Sequence, residues 1–175
     1  MPSIPFPDNA VSGLIYNQHH IPKAQYRYGL RSSAATGCGW IAIHNALCLL
    51  GRKTDIEGLI RYLQWQFPVL HGNVGTSFWS PAVCFQKWGY RTELILDRRR
   101  FDQAAKSSDA CILFYRWQKR MLPGAHFVAL HSTEAGFVGY NTYCNSTGPD
   151  PYGPSLEEHI RSRGWFGCIL LCIRK

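Results

Sequence analysis

The 175-residue sequence has no segment that would tie it to a membrane or to secretion. No stretch approaches the about 18 uninterrupted apolar residues that a membrane-spanning helix requires. The N-terminal stretch "MPSIPFPDNAVSG" has neither the basic start nor the hydrophobic centre of a secretion signal. We therefore expect a cytoplasmic protein that does not contact a membrane.

The sequence also lacks the cysteine spacing of disulfide-rich or zinc-binding domains. Its seven cysteines are an odd number, lie in apolar contexts such as "GCILLCIRK", and include no Cys-x-x-Cys pair. His126 and His131 would point to opposite faces of the strand that they share, which disfavours a common metal ion. These features predict free thiols in a reducing compartment, and no metal or other cofactor.

Motifs for phosphate, serine-hydrolase and nucleic-acid chemistry are missing as well. The stretch "NVGTS" lacks the lysine of a phosphate-binding loop, and no G-x-S-x-G occurs. The net charge of +8 is spread over short clusters such as "DRRRFD", which are typical of solvated loops. We expect no nucleic-acid partner, and an acidic peptide or protein substrate fits the same charge.

What is present indicates a globular chain. A hydrophobic fraction of 46% at this length predicts one domain over residues 1–175 with a substantial core. Residues 1–30 are rich in Pro, Tyr, Gln and His without a clear period, so we expect an irregular segment that wraps the surface.

Helical patterns come first along the chain. Apolar residues at helical spacing predict a buried helix over Cys38–Leu50, with Gly51 as its C-cap. A second helix should begin at "TDIEGLIRYL", where Thr54 and Glu57 have capping-box spacing. A third is predicted in "SFWSPAVCFQKWG", with Pro81 in its first turn and Gly89 at its end.

Strand patterns follow the helices. The runs "RTELIL", "ACILFYRW", "HFVALH", "GFVGYNTY" and "FGCILLCIRK" are short and apolar or alternating, and the helical "SLEEHIRSRG" interrupts them. Helices first and strands after predict an α+β fold, with the helices packed on one side of an antiparallel sheet.

The stretch "TGCGWIAIHNALCLLG" places Cys38 in the first turn of the first helix. Unpaired N–H groups at a helix N-terminus favour a thiolate, so this residue is a candidate nucleophile with a lowered pKa. Gly37 and Gly39 leave room for a substrate backbone to approach. The alternative is that Cys38 is a small buried apolar residue.

A thiolate nucleophile needs a general base, which is usually a histidine oriented by a third group. His126 in "PGAHFVAL" lies at the start of a strand just after a Pro-Gly loop, where its side chain can face a cleft. Asn141 follows 15 residues later in the next strand, within reach of the imidazole. Asn145 and Asp150 are the alternative orienting groups, and Asn141 could instead satisfy a backbone group at a strand end.

The remaining histidines and cysteines favour structural roles. Four histidines lie in the N-terminal segment or in helices and are expected to be structural or exposed: His19, His20, His44 and His159. Five cysteines lie in apolar patterns and are expected in the core: Cys48, Cys84, Cys111, Cys168 and Cys172. Cys144 is expected in an exposed loop.

The ordered motifs "GCGW", "GAHFVAL" and "YNTY" resemble the papain-like cysteine peptidases, and most of all the short bacterial peptidases that process bacteriocin leaders. The resemblance covers about Gly29 to Lys175. It implies a papain-like fold, with Cys38 as nucleophile, His126 as base and Asn141 as the group that orients the base. It also implies hydrolysis of a peptide or amide bond through a thioester.

The chain departs from this pattern at the oxyanion hole. The resembling enzymes supply a glutamine about six residues before the cysteine, to stabilise charge in the transition state. Ser32 stands at that position here, and Gln25 is a glutamine upstream with a different spacing. Either residue could donate together with the Cys38 backbone N–H, and the alternative for both is a surface loop residue without this role. An acyltransferase with the same three residues and a non-catalytic peptide-binding module are the alternative functions.

Overall fold

The computed structural model describes residues 13–66, 76–119 and 122–175. Residues 13–32, the N-terminal segment, contain short elements: a 3₁₀ turn over Gln18–His20, and the antiparallel strands β1 (Arg27–Tyr28) and β2 (Arg31–Ser32). The Asn17 side chain accepts a hydrogen bond of 2.9 Å from the His19 backbone N–H, which caps the 3₁₀ turn.

Four helices follow: α1 (Ser33–Thr36), α2 (Cys38–Leu49), α3 (Ile56–Gln66) and α4 (Ser80–Lys87). Helix α2 is buried from Gly39 to Leu47, because its sequence is apolar on almost every side. The chain leaves α2 through Gly51, whose φ of 76° confirms the predicted glycine stop.

The predicted limits of the next two helices have different outcomes. The capping box before α3 does not form, since the Thr54 hydroxyl oxygen is buried without a hydrogen-bond partner among the described residues. Helix α4 has Pro81 in its first turn, and Gly89 follows it with a φ of 85°, both as predicted.

The described residues form a six-stranded antiparallel sheet in the order β3-β8-β4-β5-β6-β7. Its strands are β3 (Arg91–Ile95), β4 (Ala110–Lys119), β5 (Leu122–Thr133), β6 (Gly136–Tyr140), β7 (Asp150–Gly153) and β8 (Phe166–Arg174). The sequence predicts all of these except β7, whose Pro151 and surrounding turn residues suggest a loop. Proline is tolerated there because β7 is an edge strand.

Helices cover both faces of the sheet, so the predicted packing on one side is wrong. Helices α2, α3 and α4 share one core with Ile112, Ala129 and Leu171. Helices α5 (Phe101–Lys106) and α6 (Leu156–Ser162) pack on the other face, against Leu113 and Val128. The uninterrupted apolar runs of β4 and β8 are typical of strands that are buried on both faces. The predicted α+β class is confirmed.

Strand β5 extends beyond its neighbour β6 at one end. Strand β6 pairs with β5 only from Ala129 to Thr133, whereas β4 pairs with β5 down to Leu122. Helix α2 packs against β5, and the Cys38 thiol lies beside the backbone N–H of Phe127 in the part of β5 that β6 does not cover. Among the described residues, no helix is both long and apolar enough to cross a membrane.

Candidate active site

Cys38 is the first residue of α2 and is partly buried. Gly37 separates it from α1, and a Cβ at this position would overlap the backbone carbonyl oxygen of Ser33. The Ser33 hydroxyl also accepts a hydrogen bond of 3.1 Å from the Trp40 indole N–H. Close packing between α1 and α2 therefore fixes the backbone that carries the thiol.

Burial raises the pKa of the Cys38 thiol to about 11. The backbone N–H groups of Phe127, Gly39 and Cys38 itself favour the thiolate and lower this pKa, but burial outweighs them. The lowered pKa predicted from the helix N-terminus is therefore wrong. A thiol with a raised pKa must pass its proton to a base as it reacts.

His126 lies on β5 directly opposite Tyr115 of β4 and is partly buried. Burial lowers the pKa of its imidazole below the ordinary 6.5, so the ring is neutral at pH 7. Its Nε2 atom lies 2.6 Å from the backbone carbonyl oxygen of Asn141. Because a carbonyl only accepts, Nε2 carries the proton, and Nδ1 is left free to act as a base.

Asn141 follows β6 and adopts a φ of 64°, in the left-handed region. This conformation turns its backbone carbonyl toward His126 and its buried side chain toward Gln18 in the N-terminal segment. The Asn141 Oδ1 atom accepts a bond of 2.7 Å from the Gln18 backbone N–H, and its Nδ2 donates to Gln18 Oε1 at 3.3 Å. The predicted contact from the Asn141 side chain to His126 is therefore wrong.

Asp150 and Asn145, the two alternative orienting groups, do not take the place of the Asn141 side chain beside His126. The Asp150 carboxylate accepts a hydrogen bond of 2.7 Å from the Ser146 hydroxyl. Asn145 is exposed and lies in the loop between Asn141 and Ser146. The imidazole of His126 is held by the main chain of residue 141.

Cys38, His126 and Asn141 line one cleft of about 600 Å³. Its other walls come from the N-terminal segment, helix α1, strands β4 and β5, the loop between β6 and β7, and the residue that precedes β8. They are formed by Gln18, His19, Ala34, Ala35, Tyr115, Trp117, Ala125, Thr142, Tyr143, Cys144, Asn145 and Trp165. The cleft therefore combines a thiol and a neutral imidazole with aromatic and small side chains.

The two residues predicted for the oxyanion hole lie outside this cleft. Ser32 ends β2 just before α1, and Gln25 is exposed and lines a second cavity of about 320 Å³ together with Asn17 and His20. The glutamine in the cleft is Gln18, which precedes Cys38 by 20 residues. The polar run "NQHH" in an otherwise aromatic and apolar stretch is the sequence feature that could have indicated a functional role for Gln18.

The other cysteines are arranged largely as expected. Cys84, Cys111, Cys168 and Cys172 are buried, Cys48 is partly buried, and Cys144 is exposed. Within the described ranges, no group of three or more His, Cys, Asp or Glu side chains is placed to hold a metal ion.

No protein-family model matches the chain, and no curated protein matches it either. Its structure is similar to the peptidase domain of Streptococcus ComA, a bi-functional ABC transporter involved in a quorum-sensing pathway. The similarity has a TM-score of 0.53 and covers 79% of this chain and 92% of that domain, at 16% sequence identity.

The chain has a papain-like α+β fold that is similar to the fold of this peptidase domain. In this papain-like fold, Cys38 begins the first long helix, and His126 and the Asn141 turn come from the sheet much later in the chain. The predicted fold and the predicted resemblance are thus confirmed. At 16% identity the similarity establishes the papain-like fold alone.

Proposed function

We propose that the protein is a cysteine hydrolase that cleaves a peptide or amide bond through a thioester on Cys38. One observation carries the proposal: Cys38 lines the same cleft as His126, whose Nε2–H is bound to the Asn141 carbonyl, so that a basic nitrogen remains. A thiol, a histidine of fixed tautomer and backbone N–H groups at the thiol are the parts that acyl transfer to sulfur requires. The papain-like fold supports the same conclusion.

The first half of the reaction forms the thioester. His126 Nδ1 takes the thiol proton while the Cys38 sulfur attacks the carbonyl carbon, and the carbonyl oxygen becomes an oxyanion. The carbon–nitrogen bond then breaks, and His126 returns the proton to the leaving amine. In the second half, His126 deprotonates a water molecule that attacks the thioester. The carbon–sulfur bond breaks, the acid is released, and the thiol regains its proton.

We assign the side-chain part of the oxyanion hole to Gln18. Its Nε2 donates to the Ala34 backbone oxygen at 3.0 Å, and its Oε1 accepts from Asn141 Nδ2. An amide nitrogen carries two hydrogens, so one remains for the oxyanion, beside the Cys38 backbone N–H. The bonds to Ala34 and Asn141 hold this donor in place before substrate arrives.

The wider assignment follows the sequence predictions. The substrate is a peptide or a protein, the enzyme acts without a cofactor, and residues 1–175 form a single domain that functions in the cytoplasm. Neither a nucleic acid nor a membrane is a partner in this proposal.

One observation favours acyl transfer as a second candidate function. Aromatic side chains such as Trp117 and Trp165 line part of the cleft, and an apolar surface of this kind favours an amine over water as acceptor of the acyl group. Adding a primary amine to the assay and analysing the products by mass spectrometry distinguishes amide products from hydrolysis products.

A peptide-library digest tests the proposal against a non-catalytic binding module. Wild-type protein and Cys38→Ala should be incubated with a library of quenched fluorogenic peptides, and the products identified by mass spectrometry. Wild type is expected to cleave a subset of peptides, and Cys38→Ala none. Cleavage of no peptide by wild type, or equal cleavage by both proteins, would overturn the assignment.

A further inference from the structure

We infer that the cleft contains a subsite for a bulky, uncharged side chain on the amine side of the scissile bond. Trp117 and Tyr143 would form its walls, and Tyr115 and Trp165 its floor. The inference rests on the proposed function, and it adds the class of substrate: peptides whose new N-terminus, after cleavage, is a large apolar or aromatic residue.

The position of His126 decides which side of the substrate meets this surface. The leaving nitrogen takes its proton from His126, so it must lie within hydrogen-bonding distance of that ring. The residue that carries this nitrogen is therefore next to the side chains around His126. The acyl part of the substrate stays on Cys38, at the start of α2.

Two aromatic residues of β4 surround the imidazole. Tyr115 is directly opposite His126, and Trp117 lies two residues farther on the same face of the sheet. Their ring centroids lie 5.8 Å and 6.4 Å from that of His126, both edge to face. Trp117 is opposite Gly124, where any Cβ would overlap its ring, so the absence of a side chain lets the indole lie across β5.

Contacts on the far side hold these rings in place. Tyr115 is stacked on Trp165 with ring centroids 3.7 Å apart and planes 9° apart. The Tyr143 hydroxyl forms a hydrogen bond of 3.2 Å with His159 Nε2, and the Arg163 guanidinium lies 5.0 Å from the centre of the Tyr143 ring. A surface held in this way is formed before substrate binds, so little conformational freedom is lost on binding.

The side chains that line the subsite are uncharged, and they favour an uncharged substrate side chain. The described residues that line the cleft include no Asp, Glu, Lys or Arg. Tyr115 and Trp165 are almost fully buried, whereas Trp117 and Tyr143 are partly exposed. A charged side chain entering here would lose hydration to walls that carry no charge of their own, whereas an aromatic one would bury apolar area against Trp117.

The test compares peptides that differ only in the residue after the scissile bond. Quenched peptides with Phe, Gly or Asp at this position should be assayed with wild type, Trp117→Ala and Tyr143→Ala. Trp65→Ala is the matched control, because Trp65 is 85% exposed and lies outside the cleft. We expect kcat/KM to be about 10-fold or more higher for Phe than for Gly, and lowest for Asp. This preference should shrink toward one in Trp117→Ala or Tyr143→Ala and persist in Trp65→Ala.

A binding measurement separates this inference from the proposed function. Short peptides that begin with Phe, Gly or Asp should be titrated into Cys38→Ala, with and without Trp117→Ala, and followed by tryptophan fluorescence. Tighter binding of the Phe peptide, weakened by Trp117→Ala, supports the subsite even if wild type hydrolyses nothing, in which case only the proposed function fails. Hydrolysis without a preference for Phe, or equal affinity for the three peptides, would overturn the subsite.

Discussion

His126 is bound by the main chain of Asn141: its Nε2 atom lies 2.6 Å from the Asn141 backbone oxygen. The Asn141 side chain instead bonds to Gln18, through the Gln18 backbone N–H and its side-chain oxygen. One residue thus orients the proposed base with its carbonyl and holds the proposed oxyanion donor with its amide. Because the carbonyl and the side chain of Asn141 have different partners, Asn141→Gly and His126→Ala should have different effects.

Replacing Asn141 by glycine should leave the His126 contact in place. Glycine adopts a φ of 64° readily and keeps the carbonyl, so the activity lost should not exceed that of Gln18→Ala and should be far less than that of His126→Ala. The free energy of unfolding should fall by about 1–3 kcal/mol, because two buried hydrogen bonds to Gln18 disappear. Kinetics and chemical denaturation measure both. Inactivity as complete as that of His126→Ala would show that the side chain orients the base.

Gln18→Ala should lower kcat by about 10²–10³-fold, the usual effect of removing one oxyanion donor. Gln25→Ala and Ser32→Ala are the matched controls, since neither residue lines the cleft. Both controls should retain kcat within about twofold if Gln18 is the donor. A large loss in either control, with Gln18→Ala unaffected, would return the role to the residue that the sequence suggested.

The pH dependence of kcat/KM should be that of a site in which the Cys38 thiol and the His126 imidazole are both neutral at pH 7. The pKa of His126 lies below 6.5, so activity should be lost as the pH falls below that value and the base becomes protonated. With the pKa of Cys38 at about 11, the thiolate absorbance of wild type minus Cys38→Ala should stay flat through neutral pH and rise only toward pH 11. A thiolate signal at pH 7 would indicate a preformed ion pair instead.

Simple alkylation should not single out Cys38. Cys144 is exposed, whereas burial keeps the pKa of Cys38 high, so brief iodoacetamide treatment at neutral pH should label Cys144 first. Peptide mapping by mass spectrometry gives the order of labelling, and Cys144→Ser provides the control. Faster labelling of Cys38 would mean that its helix N-terminus outweighs its burial.

Much of the fold could be predicted from the sequence, because apolar spacing and glycine stops are local signals. Cys38 at a helix start and the strand that carries His126 follow from such patterns, and the order of the motifs indicates the papain-like fold. Strand β7 could not be predicted, since its residues read as turn formers and only pairing with β6 makes them a strand. The placement of helices α5 and α6 on the second face of the sheet also depends on tertiary packing.

Less of the site could be predicted, because the details depend on three-dimensional contacts. The sequence places an asparagine near His126, but whether its carbonyl or its side chain faces the ring depends on a left-handed φ. Gln18 is distant from Cys38 along the chain and enters the cleft only because the N-terminal segment folds over Asn141. The loss of solvent around Cys38, which raises its pKa, is likewise invisible in the motif.

Trapping the acyl-enzyme shows directly whether Cys38 is the nucleophile and His126 its base. Wild type, Cys38→Ser, Cys144→Ser and His126→Ala should be mixed with an activated peptide ester, quenched rapidly in acid, and analysed by intact-protein and peptide mass spectrometry. We expect one acyl group on Cys38 in wild type and Cys144→Ser, its loss from Cys38→Ser, and much slower acylation in His126→Ala. Acylation of another residue, or of Cys38 at the same rate without His126, would contradict these assignments.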